Sequence, residues 1–256
     1  MKTTSGLIAG IALGALMASV GTGSAAEVKV LTAGAFKQVV LAVVPEFEKS
    51  GHKVVVDNDT VGALTKRIDG GEAFDVVVVS PAAIDDLTKK GKVADGSKAA
   101  LARVGIGVMV KAGAPAPDIS SVEAFKRALL AAQSVAYIDP ASGGSSGIYL
   151  AGLFDRLGIA AEIKPKAKLK QGGYVADLIA SGEAELGLHQ ISEILPVKGV
   201  KLVGPLPAEI QNYTVYAAGI GANAKQPEAA KALIGALSGA AAADVLKSKG
   251  MQAAGS

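Results

Sequence analysis

The stretch Tyr137-Ile138-Asp139-Pro140-Ala141-Ser142-Gly143-Gly144-Ser145-Ser146-Gly147-Ile148-Tyr149-Leu150 runs from an apolar strand through a loop of small residues into a helix. Residues 135–138 are a short apolar run, and Ile148, Leu150, Leu153, Phe154 and Leu157 recur at helical spacing. Ser145 and Ser146 stand where N-caps belong, so the loop feeds a helix start. Exposed N–H groups and the positive end of the helix dipole make such a loop receptive to an anion, and glycines let a ligand approach the backbone. An ordinary strand-to-helix connection has the same pattern, so the rest of the chain decides.

The same order recurs from Glu27 onward. Val28-Lys29-Val30-Leu31 leads through Thr32-Ala33-Gly34-Ala35 into a helix that buries Phe36, Val39, Val40, Val43, Val44 and Phe47. A strand over 53–56, a turn-rich segment over 57–62 and a short helix over 63–68 follow. Asp75-Val76-Val77-Val78-Val79-Ser80 lacks polar alternation, as a central parallel strand covered on both faces does. Pro81 opens the next helix at its first position, Ser121 caps a helix over 122–132, and Ser192 caps a short helix after a strand over 184–190. Helices over 227–237 and 240–249 close the chain.

Strands alternating with helices predict an α/β fold of two lobes with mostly parallel sheets and a ligand cleft between them. Two long strands, 103–111 and 213–220, read as paired crossings between the lobes. One lobe then holds residues 27–107 plus 219–256 and the other 108–218. In such sheets ligands sit beyond the strand C-termini. The loops at 33–36, 60–63, 80–83, 142–147 and 190–192 all lie there, which nominates Gly34, Ala35, Thr60, Gly62, Ser80, Ser142, Ser145, Ser146, Gly147, Gln190 and Ser192 as ligand-binding residues.

Composition narrows the chemistry. Of the 256 residues half are hydrophobic, only 4% are aromatic, and the formal charge is +3 with basic and acidic residues intermingled. That pattern does not suit a nucleic-acid partner. No cysteine is present, which excludes disulfides, thiolate metal sites and cysteine nucleophiles. Two histidines, His52 and His189, are too few for a histidine-built metal centre, so neither metal nor cofactor is expected. Lys2, the apolar run over 7–20 and Ser24-Ala25-Ala26 before Glu27 read as a cleaved signal peptide over 1–26. The run is shorter than the ~20 residues of a membrane span. The mature chain is expected to be an exported, periplasmic monomer.

Three further stretches complete a pattern: residues 62–78 (Gly62-Ala63-Leu64-Thr65-Lys66-Arg67-Ile68-Asp69-Gly70-Gly71-Glu72-Ala73-Phe74-Asp75-Val76-Val77-Val78), Ser181-Gly182-Glu183-Ala184-Glu185-Leu186-Gly187, and Gln226-Pro227-Glu228-Ala229-Ala230-Lys231-Ala232-Leu233. With Ile138-Asp139-Pro140 and the loop after it, their order and spacing resemble the molybdate-binding-protein-like group of periplasmic solute-binding proteins. The resemblance implies a venus-flytrap fold, a small anionic ligand between lobes and an ABC transporter permease as partner. Molybdate binders of that group offer serines in the first two loops and a late tyrosine. The corresponding stretches here read Thr32-Ala33-Gly34-Ala35-Phe36 and Asp59-Thr60-Val61-Gly62-Ala63, with Gln190 nearest the tyrosine position. The stretches Asp118-Ile119-Ser120-Ser121-Val122-Glu123 and His189-Gln190-Ile191-Ser192-Glu193-Ile194-Leu195-Pro196 resemble the branch that includes the aconitate isomerases, which implies a small polycarboxylate. Lys37, Lys66 and Lys170 are the nearest cationic candidates by loop position, against a reading as solvated surface charges.

Two classes of function stay open, a binding protein and an isomerase on the same scaffold, with a molybdate or tungstate carrier as a third variant. An isomerase that moves a proton along an allylic system needs a general base. His189 is the obvious titratable group, although strand alternation predicts that it and Gln190 face opposite ways, which leaves His189 as a structural residue. Asp139 precedes proline, as a turn former does. Tyr137, Tyr149 and Tyr174 read as packing or ligand walls, and Ser145 and Ser146 lack the G-x-S-x-G setting of a nucleophile.

Overall fold

The computed structural model of the protein describes residues 27–254; the signal peptide expected over 1–26 lies outside the described residues. The chain opens with β1 (Glu27–Ala33), α1 (Gly34–Glu48), β2 (Lys53–Asp59), α2 (Val61–Asp69), β3 (Val76–Val79) and α3 (Pro81–Lys89). The long β4 (Ala99–Lys111) leads to α4 (Val122–Ala131), β5 (Val135–Ile138), α5 (Ser145–Arg156), α6 (Ala160–Ile163), β6 (Ala167–Lys170) and α7 (Ala176–Ser181). Then come β7 (Leu186–Gln190), α8 (Ile191–Ile194), β8 (Val200–Pro205), β9 (Tyr213–Ile220), α9 (Pro227–Ser238), α10 (Ala240–Ser248) and β10 (Gln252–Ala253).

The strands lie in the order β2-β1-β3-β9-β4-β7-β5-β6, with β8 and β10 also paired to β4. Pairing is parallel on both flanks, β2–β1–β3 and β7–β5–β6, and antiparallel where β9 and β4 join them. β4 belongs to both halves: residues from Ala99 to Gly105 pair with β9, and Ile106 to Val110 pair with β7. The molecule therefore has two lobes that share one strand.

Each lobe packs helices on both faces of its part of the sheet. In the first, Val76 and Val78 of β3 join Phe36, Val39, Leu233 and Leu246 on one side. Val77 and Val79 join Leu64, Ile68, Ile84 and Leu87 on the other. That two-sided burial is why β3 shows no polar alternation. In the second lobe, Val135, Phe125, Leu150 and Phe154 share one core, and Ile138, Met109, Ile179 and Ile194 the opposite one.

Three local expectations are corrected. The segment Asp57-Asn58-Asp59 continues β2 instead of turning, because Ala33 and its predecessors in β1 hold it in parallel register through Asp59. Ser145 and Ser146 do not cap α5. Asp139 and Pro140 spend the preceding residues on a single 3-10 turn, Pro140–Ser142, and Gly144 becomes the N-cap. Only glycine fits there, since a Cβ on Gly144 would stand 2.4 Å from Ile138 Cγ2. Ser192 is likewise inside α8, because Gln190 turns directly from strand into helix.

Candidate functional site

Strand C-termini from both lobes meet at one cleft. It is lined by Ala33, Gly34, Ala35, Asn58, Asp59, Thr60, Val61, Ile138, Gly144, Ser145, Ser146, Gly172, Gly173, His189, Gln190, Glu193 and Tyr216, and holds about 390 Å³ of space including its open mouth. Two helices begin on it without a side-chain cap: α1 from the first lobe, after Ala33, and α5 from the second, after Gly144. Neither has an acidic residue in its first turn. The first N–H groups of a helix have no intrahelical partner, so these two ends present amide donors and the positive ends of two dipoles. By contrast α2 and α3 are capped by the hydroxyls of Thr60 and Ser80, which accept from Ala63 N and Ala83 N.

A polar network fixes the α5 start. Gln190 Nε2 donates to Ser145 Oγ at 2.8 Å and to Thr214 Oγ1 at 3.2 Å, while the Tyr216 hydroxyl donates to Gln190 Oε1 at 2.9 Å. Burial, and secondarily the neighbouring Glu193, raise the Tyr216 phenol above its ordinary range, so it stays a donor. Ser145 Oγ thus accepts from Gln190 and also lies 3.4 Å from Thr214 Oγ1, so the hydroxyl is held at the helix start.

Beside this network lies a buried ionisable pair. His189 is 1% exposed and Glu193 7%, and His189 Nε2 stands 3.3 Å from Glu193 Oε2. Burial pushes the Glu193 carboxyl up to about 8. Burial, with a smaller contribution from the Lys170 charge, pulls the His189 imidazole down to about 3. Near neutral pH the two form a neutral carboxyl–imidazole pair, not an ion pair. Glu193 also reaches the α1 start: its Oε1 lies 2.6 Å from where a Cβ on Gly34 would sit. His189 Nδ1 and Ser192 Oγ are buried without a hydrogen-bond partner.

The structure brings Gly34, Ala35, Thr60, Ser145, Ser146 and Gln190 together on the cleft. Gly62 and Ser142 lie at its edge, where Gly62 N donates to Gly143 O at 3.2 Å and Thr60 Oγ1 to Ser142 O at 2.6 Å. Gly147 packs the helix on its strand instead, a Cβ there standing 2.2 Å from Ile138 O. Ser80 caps α3 away from the cleft, and Ser192 is buried beneath it. His189 and Gln190 both line the cleft, against strict alternation, because β7 ends at Gln190 and the backbone turns into α8. Lys37, Lys66 and Lys170 are not among the lining residues; Lys170 instead donates to Asp177 at 2.8 Å. Asp139 serves its turn, accepting from Ala141 N. Tyr137 packs edge-on against Phe154, and Tyr149 donates to Ile210 O.

Asn58, Asp59, Gly172, Gly173, Glu193 and Tyr216 complete the lining and were not singled out from sequence. For Glu193 a signal existed: it follows His189 at i+4 across a strand-to-helix junction. Among the described residues no group of three or more His, Asp or Glu side chains is placed to hold a metal ion.

A two-lobed α/β fold with strand ends of both lobes lining one cleft is the architecture of the periplasmic binding proteins. The chain belongs to the bacterial extracellular solute-binding protein family, whose model matches residues 28–252. It is 36% identical over 253 residues to an aconitate isomerase of Pseudomonas sp, covering 94% of this chain and 95% of that one. It is 29% identical over 240 residues to a molybdate-binding protein of Azotobacter vinelandii, covering 88% and 90%. Among solved structures, the periplasmic molybdate-binding protein of Azotobacter vinelandii superposes with a TM-score of 0.75 at 21% identity, over 88% of this chain and 98% of that one. The sulfate-binding protein SubI of Mycobacterium tuberculosis gives 0.71 at 18% identity, over 90% and 88%.

Proposed function

We propose that the mature chain is a periplasmic solute-binding protein of an ABC-type transport system that closes its lobes, 27–107 plus 219–256 and 108–218, on a small anion. The observation that carries this is the pair of uncapped starts, α1 from one lobe and α5 from the other, opening on the same cleft. An anion bridging them gains from both dipoles only when the lobes are together, and that differential affinity drives closure. A polycarboxylate is favoured over a compact oxyanion. The lining offers one serine network and backbone amides, and the relative at 36% identity is named for aconitate.

A second reading, an isomerase of a small unsaturated polycarboxylate, is favoured by one specific feature, the buried Glu193–His189 pair in the lining. A thermal-shift series with molybdate, tungstate, sulfate, citrate and both aconitates tests the ligand class. Saturation at ~100 Kd stabilises the native state by ~2.7 kcal/mol. The expected result is a raised melting temperature with the tricarboxylates; a response to molybdate and tungstate alone overturns the polycarboxylate reading, and no response to any anion overturns the whole.

A further inference from the structure

We infer that Glu193 is the acid–base residue of a 1,3-proton shift in the bound ligand, with His189 as the residue that positions its carboxyl group. This rests on the isomerase reading. A carboxyl group in an anion site is unfavourable once ionised, because it then repels the ligand. Here one is buried in the lining with no lysine or arginine among its neighbours there.

The other ionisable groups around the cleft are otherwise engaged. Asp59 accepts from Thr60 N at 2.8 Å and lies 3.8 Å from Arg67 Nη1. The Tyr216 hydroxyl is committed to Gln190, and Lys170 is paired with Asp177. His189 stands on the Oε2 side of Glu193, while Oε1 faces the first turn of α1. His189 does not behave as a satisfied core histidine, because its Nδ1 is buried without a partner. Adjacent titratable groups whose surroundings push them in opposite directions mark acid–base assignments.

The chemistry balances on Glu193. It acts as a carboxylate after its proton has gone to solvent, with the neutral His189 imidazole 3.3 Å from its Oε2. That carboxylate removes a proton from a ligand CH2 flanked by a carboxylate group and a C=C bond. The C–H bond breaks, an O–H bond forms on Glu193, and the freed electron pair spreads through the allylic system onto the ligand's carboxylate oxygens. The first-turn amides of α1 and α5 are placed to receive that charge. The electron pair then takes the proton back from Glu193 at the far carbon, so the double bond has moved by one position. Glu193 is then a carboxylate again and the cycle is closed. No oxidant, reductant or cofactor is consumed.

The test follows interconversion of cis- and trans-aconitate by proton NMR with the mature chain and with Glu193→Gln, Glu193→Asp and His189→Gln, each checked for a cooperative melt. The expected result is turnover by the wild type. Glu193→Gln should then lower kcat by about 10²–10⁴-fold while KM moves by less than about tenfold. His189→Gln should shift the pH profile of kcat, which a merely structural histidine would not do. Turnover by Glu193→Gln within about tenfold of wild type overturns the inference and leaves the isomerase reading standing. If Glu193→Gln does not fold, an unchanged kcat in Glu193→Asp, which withdraws the carboxyl from the ligand, overturns it equally. A wild type that aconitates stabilise but that does not interconvert them removes the isomerase reading and this inference together.

Discussion

Gly62 and Gly143 meet backbone to backbone across the cleft. The Gly62 N–H donates to the Gly143 carbonyl at 3.2 Å, and a Cβ on Gly62 would stand 2.8 Å from the Gly143 Cα. Around them Thr60 Oγ1 donates to Ser142 O at 2.6 Å, and Gln38 Nε2 to the Tyr174 hydroxyl at 2.6 Å. These contacts join one lobe to the other.

Gly62→Ala is therefore expected to oppose closure while sparing the fold. Gly62 lies in the first turn of α2, where alanine improves helix propensity by roughly 0.5–1 kcal/mol. The unliganded melting temperature should hold or rise. The apparent Kd should weaken by about tenfold for each 1.4 kcal/mol by which the closed form is disfavoured. Calorimetric titration reads this directly. An unchanged Kd means that the lobes bind ligand without bringing these two backbones together.

At the crossing between lobes Ile106 is paired by a side chain. Its N–H donates to Gln211 Oε1 at 2.9 Å, and its carbonyl accepts from Gln211 Nε2 at 2.9 Å. The Gln211 amide thus substitutes for a neighbouring strand just before β9 begins at Tyr213. Gln211→Leu should destabilise the chain by about 1–3 kcal/mol, because it leaves the Ile106 N–H buried without that acceptor. The carbonyl keeps its bond from Leu206 N at 3.0 Å. Urea unfolding checks the size of the effect; a loss below about 0.5 kcal/mol would show that water replaces the amide.

Asp75 ties three segments of the first lobe. Its Oδ2 accepts from Lys29 N of β1 at 2.8 Å, and its Oδ1 from Lys225 N and Gln226 N, just ahead of α9, at 2.7 and 3.1 Å. Asp75→Asn turns one oxygen into an NH2 group that faces N–H donors, so at least one buried bond becomes a repulsion. A loss of about 2–3 kcal/mol is expected, since charge-assisted bonds are the stronger kind. The denaturation midpoint should fall with an unchanged m-value. An equal midpoint for Asp75→Asn would mean that the α9 entry is held by packing alone.

The fold was legible where side-chain period and burial agree. Val76-Val77-Val78-Val79 announces a doubly covered strand, and the helix faces of α1 and α4 follow from their apolar spacing. It was not legible at the end of β2. Asp57 and Asp59 are turn formers by type, but Arg67 from α2 bonds Asp57 and lies near Asp59, and β1 supplies the ladder. The anion loops could be found because glycines and serines at strand ends have a local meaning. Tyr216 could not, since its role comes from what β7 and β9 bring together, and Glu193 had only its i+4 spacing from His189, its approach to α1 being tertiary. His189 shows the same limit: alternation is a property of the strand, and the strand stops one residue later.

The Glu193–His189 pair has a signature in stability that is separate from turnover. Burial keeps the Glu193 carboxyl protonated up to about pH 8. In the unfolded chain it ionises near pH ~4.3. Between these values the folded state holds a proton that the unfolded state has released, so this group's contribution to stability falls as pH rises, then levels off. His189 acts oppositely. Folded, it stays neutral down to about pH 3. Unfolded, it protonates near ~6.5, so its contribution rises with pH up to that point and is flat above it. From pH ~6.5 to about 8 Glu193 alone supplies the slope within the pair, with Tyr216 still neutral. Glu193→Gln removes the titration and keeps the shape. Its melting temperature should stay close to wild type at pH ~4.5 and then exceed it increasingly up to about pH 8, where the gap becomes constant. Parallel melting curves of the two proteins across that range would show a constant difference if the carboxyl ionised in the fold as it does in water, and Glu193 would then be an ordinary carboxylate near neutral pH.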